Sequence, residues 1–354
     1  MKKKITIKEI AQQAGVSVST VSRVINNHPS VKEDKRKLIQ EIIDQESFQP
    51  SMLARGMVSS KTRNLAIVVP DINNPYFTDL ISQIEVASYS FGYSLLLFNT
   101  MVAGTKKNGQ TENSEQTVFQ TIIEKSIDGV LILGGEIDKD TPDTQYLDAL
   151  NHLQKQIPVV VIGQKEASLD IPFIERNLEQ GTTTAVSHLL ALGHKKIGFL
   201  GGEPGVKITT QRLDAFKQSM NLYSEFNESF VYLSDFYTKD GYSSMDSLLA
   251  KKDQPTAILA INDNVAIGAI RSLVDHGLAC PKDMKIVSCD AFAGSEYTVP
   301  RLTTVDQNNP MLAQCAVTTL LQQISEGASL PIPKEHIPKL IIRESCGILQ
   351  KGEI

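Results

Sequence analysis

The stretch Thr6–Asn27, TIKEIAQQAGVSVSTVSRVINN, decides how the N-terminal part of this chain folds. Apolar residues Ile7, Ile10, Ala11 and Ala14 recur at helical spacing, Gly15 and Ser17 interrupt them, and Val18, Val21, Val24 and Ile25 resume the pattern. Two short helices joined by a tight turn satisfy this pattern, with Gly15 free to take the corner conformation and Ser17 placed to cap the second helix. The second helix is expected to expose Ser19, Ser22 and Arg23, small polar groups and one fork donor suited to reading base edges. A helix-turn-helix in a basic N-terminal segment reads as a DNA-binding module.

Charge supports a division of labour. Met1–Arg63 holds 12 Lys and Arg against 6 Asp and Glu, while the remainder holds 23 against 34, so a head of +6 is attached to a body of −11. A basic head on an acidic body fits a polyanion-binding module joined to a soluble domain. Cys280, Cys289, Cys315 and Cys346 lie far apart with no histidines at ligand spacing, and His188 and His194 are offset wrongly for one helix face. No metal, cofactor or disulfide framework is therefore expected. With neither an apolar leader nor a span of membrane length, the expected location is the cytoplasm, at the nucleoid.

Outward from the opening stretch, Lys32–Gln45 forms a third helix that should bury Leu38, Ile42 and Ile39, completing an all-α headpiece over 1–48. Residues 49–63 carry SMLARGMVSSKTR, a helix too short and too rich in Gly and Ser to stand alone, expected to order only on a partner. From Asn64 the pattern becomes alternating apolar runs and amphipathic helices. Strands are predicted at Leu65–Val69, Ser94–Phe98, Gly129–Leu133 and Val159–Gly163, then at Lys196–Leu200, Ser229–Leu233, Ala257–Ile261 and Lys285–Cys289. Continuous apolar runs between helices mean parallel strands covered on both faces. Two series mean two doubly wound α/β subdomains within 64–347, the first about 64–162 plus 292–323 and the second about 163–291 plus 324–345, before a tail at 348–354. Ligands belong at the carboxyl ends of such strands. The polar stretch Met101–Asn113 reads as an exposed loop.

AGVSVSTVSRVIN, FQPSMLARGMVSSKTRNLAIVVPDINNPYF, HLLALGHKKIGFLGG, AINDNVAIGAI and LIIRES together resemble the lactose/galactose repressor family of bacterial transcription regulators. The resemblance runs from about Thr6 to Ser345. It implies a DNA headpiece, a hinge helix and a sensor core like the periplasmic sugar-binding proteins, acting as a homodimer on a near-palindromic operator.

By that resemblance, Ser17, Val18, Ser19, Ser22 and Arg23 match groove-facing positions, with Thr6, Thr20 and Asn26 as candidates for phosphate contacts. Arg23 would donate to a guanine edge and Val18 would touch a thymine methyl, unless Val18 is a core residue. Ala54, Arg55 and Met57 match hinge positions inserted into the minor groove, where Met57 replaces the family's usual leucine as the wedge. In the core, Asn74, Tyr76, Phe77, Arg212, Phe236, Asn262, Asp263, Asp290 and Gln307 all follow strands and are the candidate effector-binding residues. Forks and carboxylates pair with hydroxyls while aromatic faces cover a sugar ring, so the expected effector is a sugar or sugar derivative. Tyr76 and Phe77 could instead be a core stripe, and Arg212, Asn262 and Asp290 a surface ion pair or a helix cap. The chain departs from the family pattern at Ala291, where a second acidic residue is common, and at Arg176, where an aspartate is common.

Two other functions compete. A catabolite-control regulator would take a phosphorylated carrier protein as corepressor. A nucleotide-dependent enzyme would use GFLGGEPG, Gly198–Gly205, but its glycine spacing is not that of a dinucleotide site and no acidic ribose partner follows. No nucleophile elbow or metal motif is present, and the chain is expected not to be an enzyme.

Overall fold

Helix α1 (Ile7–Gln13) starts with a capping box: the Glu9 amide donates to Thr6 Oγ1 at 3.3 Å and the Thr6 amide to Glu9 Oε2 at 2.7 Å. Gly15, at φ +62°, then turns the chain as only glycine does cheaply. Ser17 Oγ accepts from the Thr20 amide at 3.3 Å and caps α2 (Val18–Ile25). In α3 (Glu33–Gln45), Glu33 and Asp34 stand in the first turn, where the helix dipole favours negative charge. The three helices close over Ile10, Ala11, Ala14, Val21, Val24 and Ile39. The expected burial of Leu38 is not found: it is 46% exposed, while Ile39 is fully buried with Ile42 and Ile43 packed beside it. Residues 39, 42 and 43 share one stripe at i, i+3 and i+4, and Leu38 falls off its edge.

The computed structural model describes residues 5–25, 28–46, 48, 62–101, 114–325 and 337–348. The expected loop at 102–113 and the hinge residues Ala54, Arg55 and Met57, with Asn26, lie outside them. Two compact units divide at Arg63 and Asn64.

In the second unit, β1 (Asn64–Val69), β2 (Ser94–Asn99), β3 (Gly129–Leu133), β4 (Val159–Ile162) and β5 (Phe173–Ile174) form a parallel sheet in the order β2-β1-β3-β4-β5. Every residue of β1 and β3 is buried, as expected for strands covered on both faces. One face packs against α4 (Pro75–Tyr89) and α11 (Asn309–Ile324), the other against α5 (Ser114–Glu124) and α6 (Thr144–Gln154).

The second sheet holds β6 (Ile197–Leu200), β7 (Val231–Tyr232), β8 (Ala257–Ala260), β9 (Lys285–Cys289), β10 (Thr303–Asp306) and β11 (Lys339–Ile341), in the order β11-β10-β9-β8-β6-β7. Only β11 runs antiparallel to its neighbour. Helices α7 (Leu178–Ala191), α8 (Lys207–Tyr223), α9 (Thr238–Leu249) and α10 (Asp263–Asp275) flank it. Where α9 crosses α10, backbones nearly touch: a Cβ on Gly268 would lie 1.8 Å from the Thr238 carbonyl oxygen, and one on Gly241 2.1 Å from that of Val265. Among the described residues, no helix is long and apolar enough to cross a membrane.

All eight predicted strands form, with the 229–233 run shortened to two residues. Pairing places the subdomain crossings differently from the expected boundaries. Strand β5 still pairs with β4, so the first sheet extends past 162, and β10 pairs with β9, so the chain leaves the second sheet after 306 and not at 292.

Candidate functional site

The headpiece presents Ser17, Val18, Ser19 and Arg23 as exposed side chains, Val18 at 41% exposure, so Val18 is not a core residue. Thr6 is exposed and Thr20 half-buried. Ser22 contradicts its expected place on the open face: it is only 3% exposed. It follows Val21 directly and precedes Ile25 by one turn, which rotates it toward the headpiece core. Ser17 Oγ lies 2.8 Å from Ser19 Oγ and 2.9 Å from Thr20 Oγ1, giving a small hydroxyl cluster at the start of α2.

In the second unit, the carboxyl ends of both sheets bring Tyr76, Arg176, Arg212 and Asp290 together in one cleft. Its centre is a buried ion triad. Arg212, 2% exposed, donates to Asp290 Oδ1 at 2.6 Å and to the Ile261 carbonyl, and Arg176 reaches the same Asp290 oxygen at 3.7 Å. Burial works against the charge of Arg212, yet the Asp290 carboxylate beside it holds its pKa above the ordinary value. The backbone turns sharply here, with Asp290 at φ +94° and Ala291 at +48°, the left-handed region that costs a non-glycine residue about 1–2 kcal/mol. Arg212 and Asp290 thus form an ion pair as one alternative held, but a buried one.

The aromatic wall comes from α4. Asn74 caps that helix by accepting from the Tyr76 amide at 3.1 Å. Tyr76 is buried and meets Phe77 edge-on at 5.2 Å, and both pack against the first sheet's core. Tyr76 therefore is a core residue, and its ring face also carries the Arg176 guanidinium at 4.4 Å. Burial pushes its phenol up to about 12. Phe236, half-buried, follows β7 and packs against the second core.

Two candidates are committed to structure, and a third is buried without side-chain hydrogen bonds among the described residues. Asn262 caps α10, accepting from the Val265 amide at 2.9 Å while its amide donates to the Phe236 carbonyl at 2.9 Å. Asp263 is fully buried and accepts from Ser288 Oγ (2.5 Å), Thr304 Oγ1 (2.6 Å) and the Phe292 amide (3.0 Å). Its carboxyl is pushed up to about 7 by burial, against the pull of those hydroxyls. Gln307 is 1% exposed and sits against Gly181 of α7, with neither amide atom hydrogen-bonded among the described residues. Asn262 and Asp263 hold the 290–292 turn and the α10 start in place.

Sequence reasoning missed four residues at the cleft. Arg176, noted only as a departure, joins Asp290 to Tyr76. Asp138, buried against Gly134 and Gly163, keeps Oδ1 unpartnered, and burial raises its pKa against the opposing pull of Arg176 and Lys207. Tyr237 donates to Asp71 Oδ2 at 2.6 Å across the cleft. Lys207 spans the other edge, donating to Glu166 Oε2 at 3.0 Å and the Ile137 carbonyl at 3.1 Å. Each is an ordinary polar residue in a loop or helix end, and Arg176, Tyr237 and Lys207 gain these partners only where the two sheets approach. The glycine turn at 201–202 serves packing: a Cβ on Gly202 would lie 2.5 Å from Ile261 Cδ1.

Residues 6–51 match the family described as bacterial regulatory proteins, lacI family, and residues 186–346 match the periplasmic binding protein-like domain. The HTH-type transcriptional repressor PurR of Haemophilus influenzae (strain PittEE) is 34% identical over 345 residues, 96% of this chain and 98% of that protein. The chain belongs to the lacI family of bacterial regulatory proteins. The PurR of Actinobacillus pleuropneumoniae serotype 3 is 32% identical over 98% of this chain and 99% of its own length. The lac repressor dimer bound to operator and the anti-inducer ONPF shares the fold with a TM-score of 0.82, at 23% identity over 97% of this chain and 99% of that one. This lacI-family chain is accordingly a DNA-binding transcriptional repressor and not an enzyme.

Proposed function

We propose that this repressor binds a near-palindromic operator as a homodimer and that a small, flat, hydrogen-bonding heterocycle of the purine kind, held in the cleft, sets its operator affinity. The observation that carries the reading is the inventory of groups left for a ligand. A sugar needs many directional polar partners, but Asn74 and Asn262 are spent on helix caps and Asp263 on internal hydrogen bonds. What remains is an aromatic set, Tyr76, Phe77 and Phe236, around the Arg176–Asp290–Arg212 triad, with the Gln307 amide and Asp138 Oδ1 as the unpartnered polar atoms among the described candidates. Rings offer flat apolar faces, and the triad offers a carboxylate and forks for ring nitrogens and oxygens. The relatives' name PurR, for purine repressor, supports the same class over the sugar expected from the resemblance.

In the headpiece, Ser17, Val18, Ser19 and Arg23 present the reading edge, Thr6 and Thr20 stand ready for phosphates, and Asn26, Ala54, Arg55 and Met57 keep the roles the family resemblance gives them. Regulation is linkage: the ligand shifts operator affinity only by the difference in its affinity for the DNA-free and DNA-bound states.

The test is a thermal-shift and calorimetric screen of the full chain with hypoxanthine, guanine and adenine beside ribose, galactose and glucose, repeated on Arg212→Ala. A purine should stabilise the wild type, by about 2.7 kcal/mol at a hundredfold excess over Kd, and should lose that effect in the variant. Stabilisation by a sugar alone, or purine binding that survives Arg212→Ala, overturns the assignment.

A further inference from the structure

Two glycines make room for a buried charge at the carboxyl edge of the first sheet. After β3, Gly134 and Gly135 turn the chain at φ +72° and +95°, and a single 3-10 turn, Glu136–Asp138, folds it back. The Asp138 amide closes that turn by donating to the Gly135 carbonyl at 3.1 Å. The Asp138 carboxylate then fills the notch between the ends of β3 and β4. Its Oδ2 lies 2.7 Å from where a Cβ on Gly134 would stand, beside the Phe77 ring, and its Oδ1 lies 2.9 Å from the corresponding position on Gly163. A side chain at either glycine would take the carboxylate's space.

Asp138 is 7% exposed, and Oδ1 has no hydrogen-bond donor among the described residues. A buried carboxylate with an unmet oxygen destabilises the fold, so packing does not account for it. Burial raises its pKa even though Arg176, Lys207 and the Gln164 amide draw it down. Asp290 is in a different position, since two guanidinium groups share its Oδ1. Contacts between the subdomains flank the cleft around Asp138: Tyr237 donates to Asp71 on one side, and the Asp140 amide donates to the Gly205 carbonyl at 2.8 Å on the other.

We propose that Asp138 is a specificity-determining residue of the cleft: its Oδ1 accepts a hydrogen bond from an N–H of the bound heterocycle, which selects purines that carry a free N–H over those that carry none. The inference rests on the purine reading of the cleft and adds the group that recognises the donor edge. An N–H delivered to an ionised, water-excluded oxygen makes a charge-assisted bond, stronger than a neutral one. A flat ring without an N–H covers the same aromatic faces and leaves the carboxylate unmet.

Calorimetric titration of the full chain with hypoxanthine, guanine and adenine, and with caffeine as a purine without any N–H, tests this beside thermal denaturation of the unliganded proteins. Wild type should bind at least one of the three bases about tenfold or more tighter than caffeine. Asp138→Asn keeps the shape and removes the charge; without ligand it should melt no lower than wild type, and it should bind that base about tenfold more weakly. Gly163→Ala keeps the carboxylate and displaces it, so it should weaken the base in the wild-type background and add nothing to Asp138→Asn. Unchanged base affinity in Asp138→Asn, a lower melting temperature for that variant, a Gly163→Ala effect equal in both backgrounds, or caffeine binding as tightly as the base overturns the proposal and leaves the purine reading standing. If none of the three bases binds wild type, the purine reading falls and this inference with it.

Discussion

Replacing Glu115 with glutamine should make the protein more stable, and increasingly so as pH rises. Glu115 is 5% exposed at the start of α5; its Oε2 accepts from the Glu136 amide at 3.3 Å, and Oε1 has no partner among the described residues. Burial pushes its carboxyl from 4.5 up to about 8, the Glu136 amide bond being too weak a counterweight. The unfolded chain ionises this group near 4.5 and the folded chain near 8. Stability is therefore whole below pH 4.5, declines as pH rises between the two values, and reaches its full deficit above 8. At pH 7 the folded state must take up a proton across about 2.5 pH units, a cost of about 3 kcal/mol at roughly 1.4 kcal/mol per unit. Glutamine keeps the acceptor for the Glu136 amide and its shape, and has no proton to take up. Urea denaturation of wild type and Glu115→Gln from pH 4.5 to 9 reads the difference directly. The gain should be near zero at pH 4.5, about 3 kcal/mol at pH 7 and about 5 kcal/mol above pH 8. A gain that does not change with pH, or a variant less stable at pH 8, refutes the reasoning.

Gly268→Ala should destabilise the second unit by about 3 kcal/mol or prevent its folding, since the new methyl meets the Thr238 backbone and no side chain can move aside; thermal denaturation measures it. Tyr237→Phe removes the bond to Asp71 across the cleft and should weaken cleft ligands by about 0.5–1.5 kcal/mol, up to roughly tenfold in Kd by calorimetry. Arg23→Ala should cost about 1–3 kcal/mol in operator affinity and relax preference at one base position, measured by binding to a set of singly altered operators. Wild-type operator affinity should fall steeply with salt while effector affinity stays nearly flat, because only the first releases counterions.

Much of the fold was legible because its signals are local. The restart of apolar spacing after Gly15, the capping residues Thr6 and Ser17, and eight continuous apolar runs each depend on neighbours within one turn or one strand. The strands that escaped notice show where that logic stops. Strand β5 is two residues long, β10 is TTVD, whose buried Thr303 and Thr304 are satisfied by hydroxyl hydrogen bonds to distant residues, and β11 is an antiparallel edge. Local pattern cannot mark a threonine as core when its partners lie forty residues away. The same limit misplaced Leu38, which falls one position off the buried stripe, and Ser22, which is drawn into it.

The helix-turn-helix, the basic head, the two doubly wound halves and the family were determined by the sequence itself, because periodicity and ordered motifs survive without coordinates. Tertiary structure alone decided what each cleft residue is free to do. Asn262 and Asp263 looked like ligand groups and are bound to the protein's own backbone and hydroxyls, while Arg176, which looked like a deviation, lies between Asp290 and the Tyr76 ring. The physical reason is that a polar side chain's availability depends on who else satisfies it. Those partners come from strands far apart in the chain, brought to one edge only when both sheets have formed.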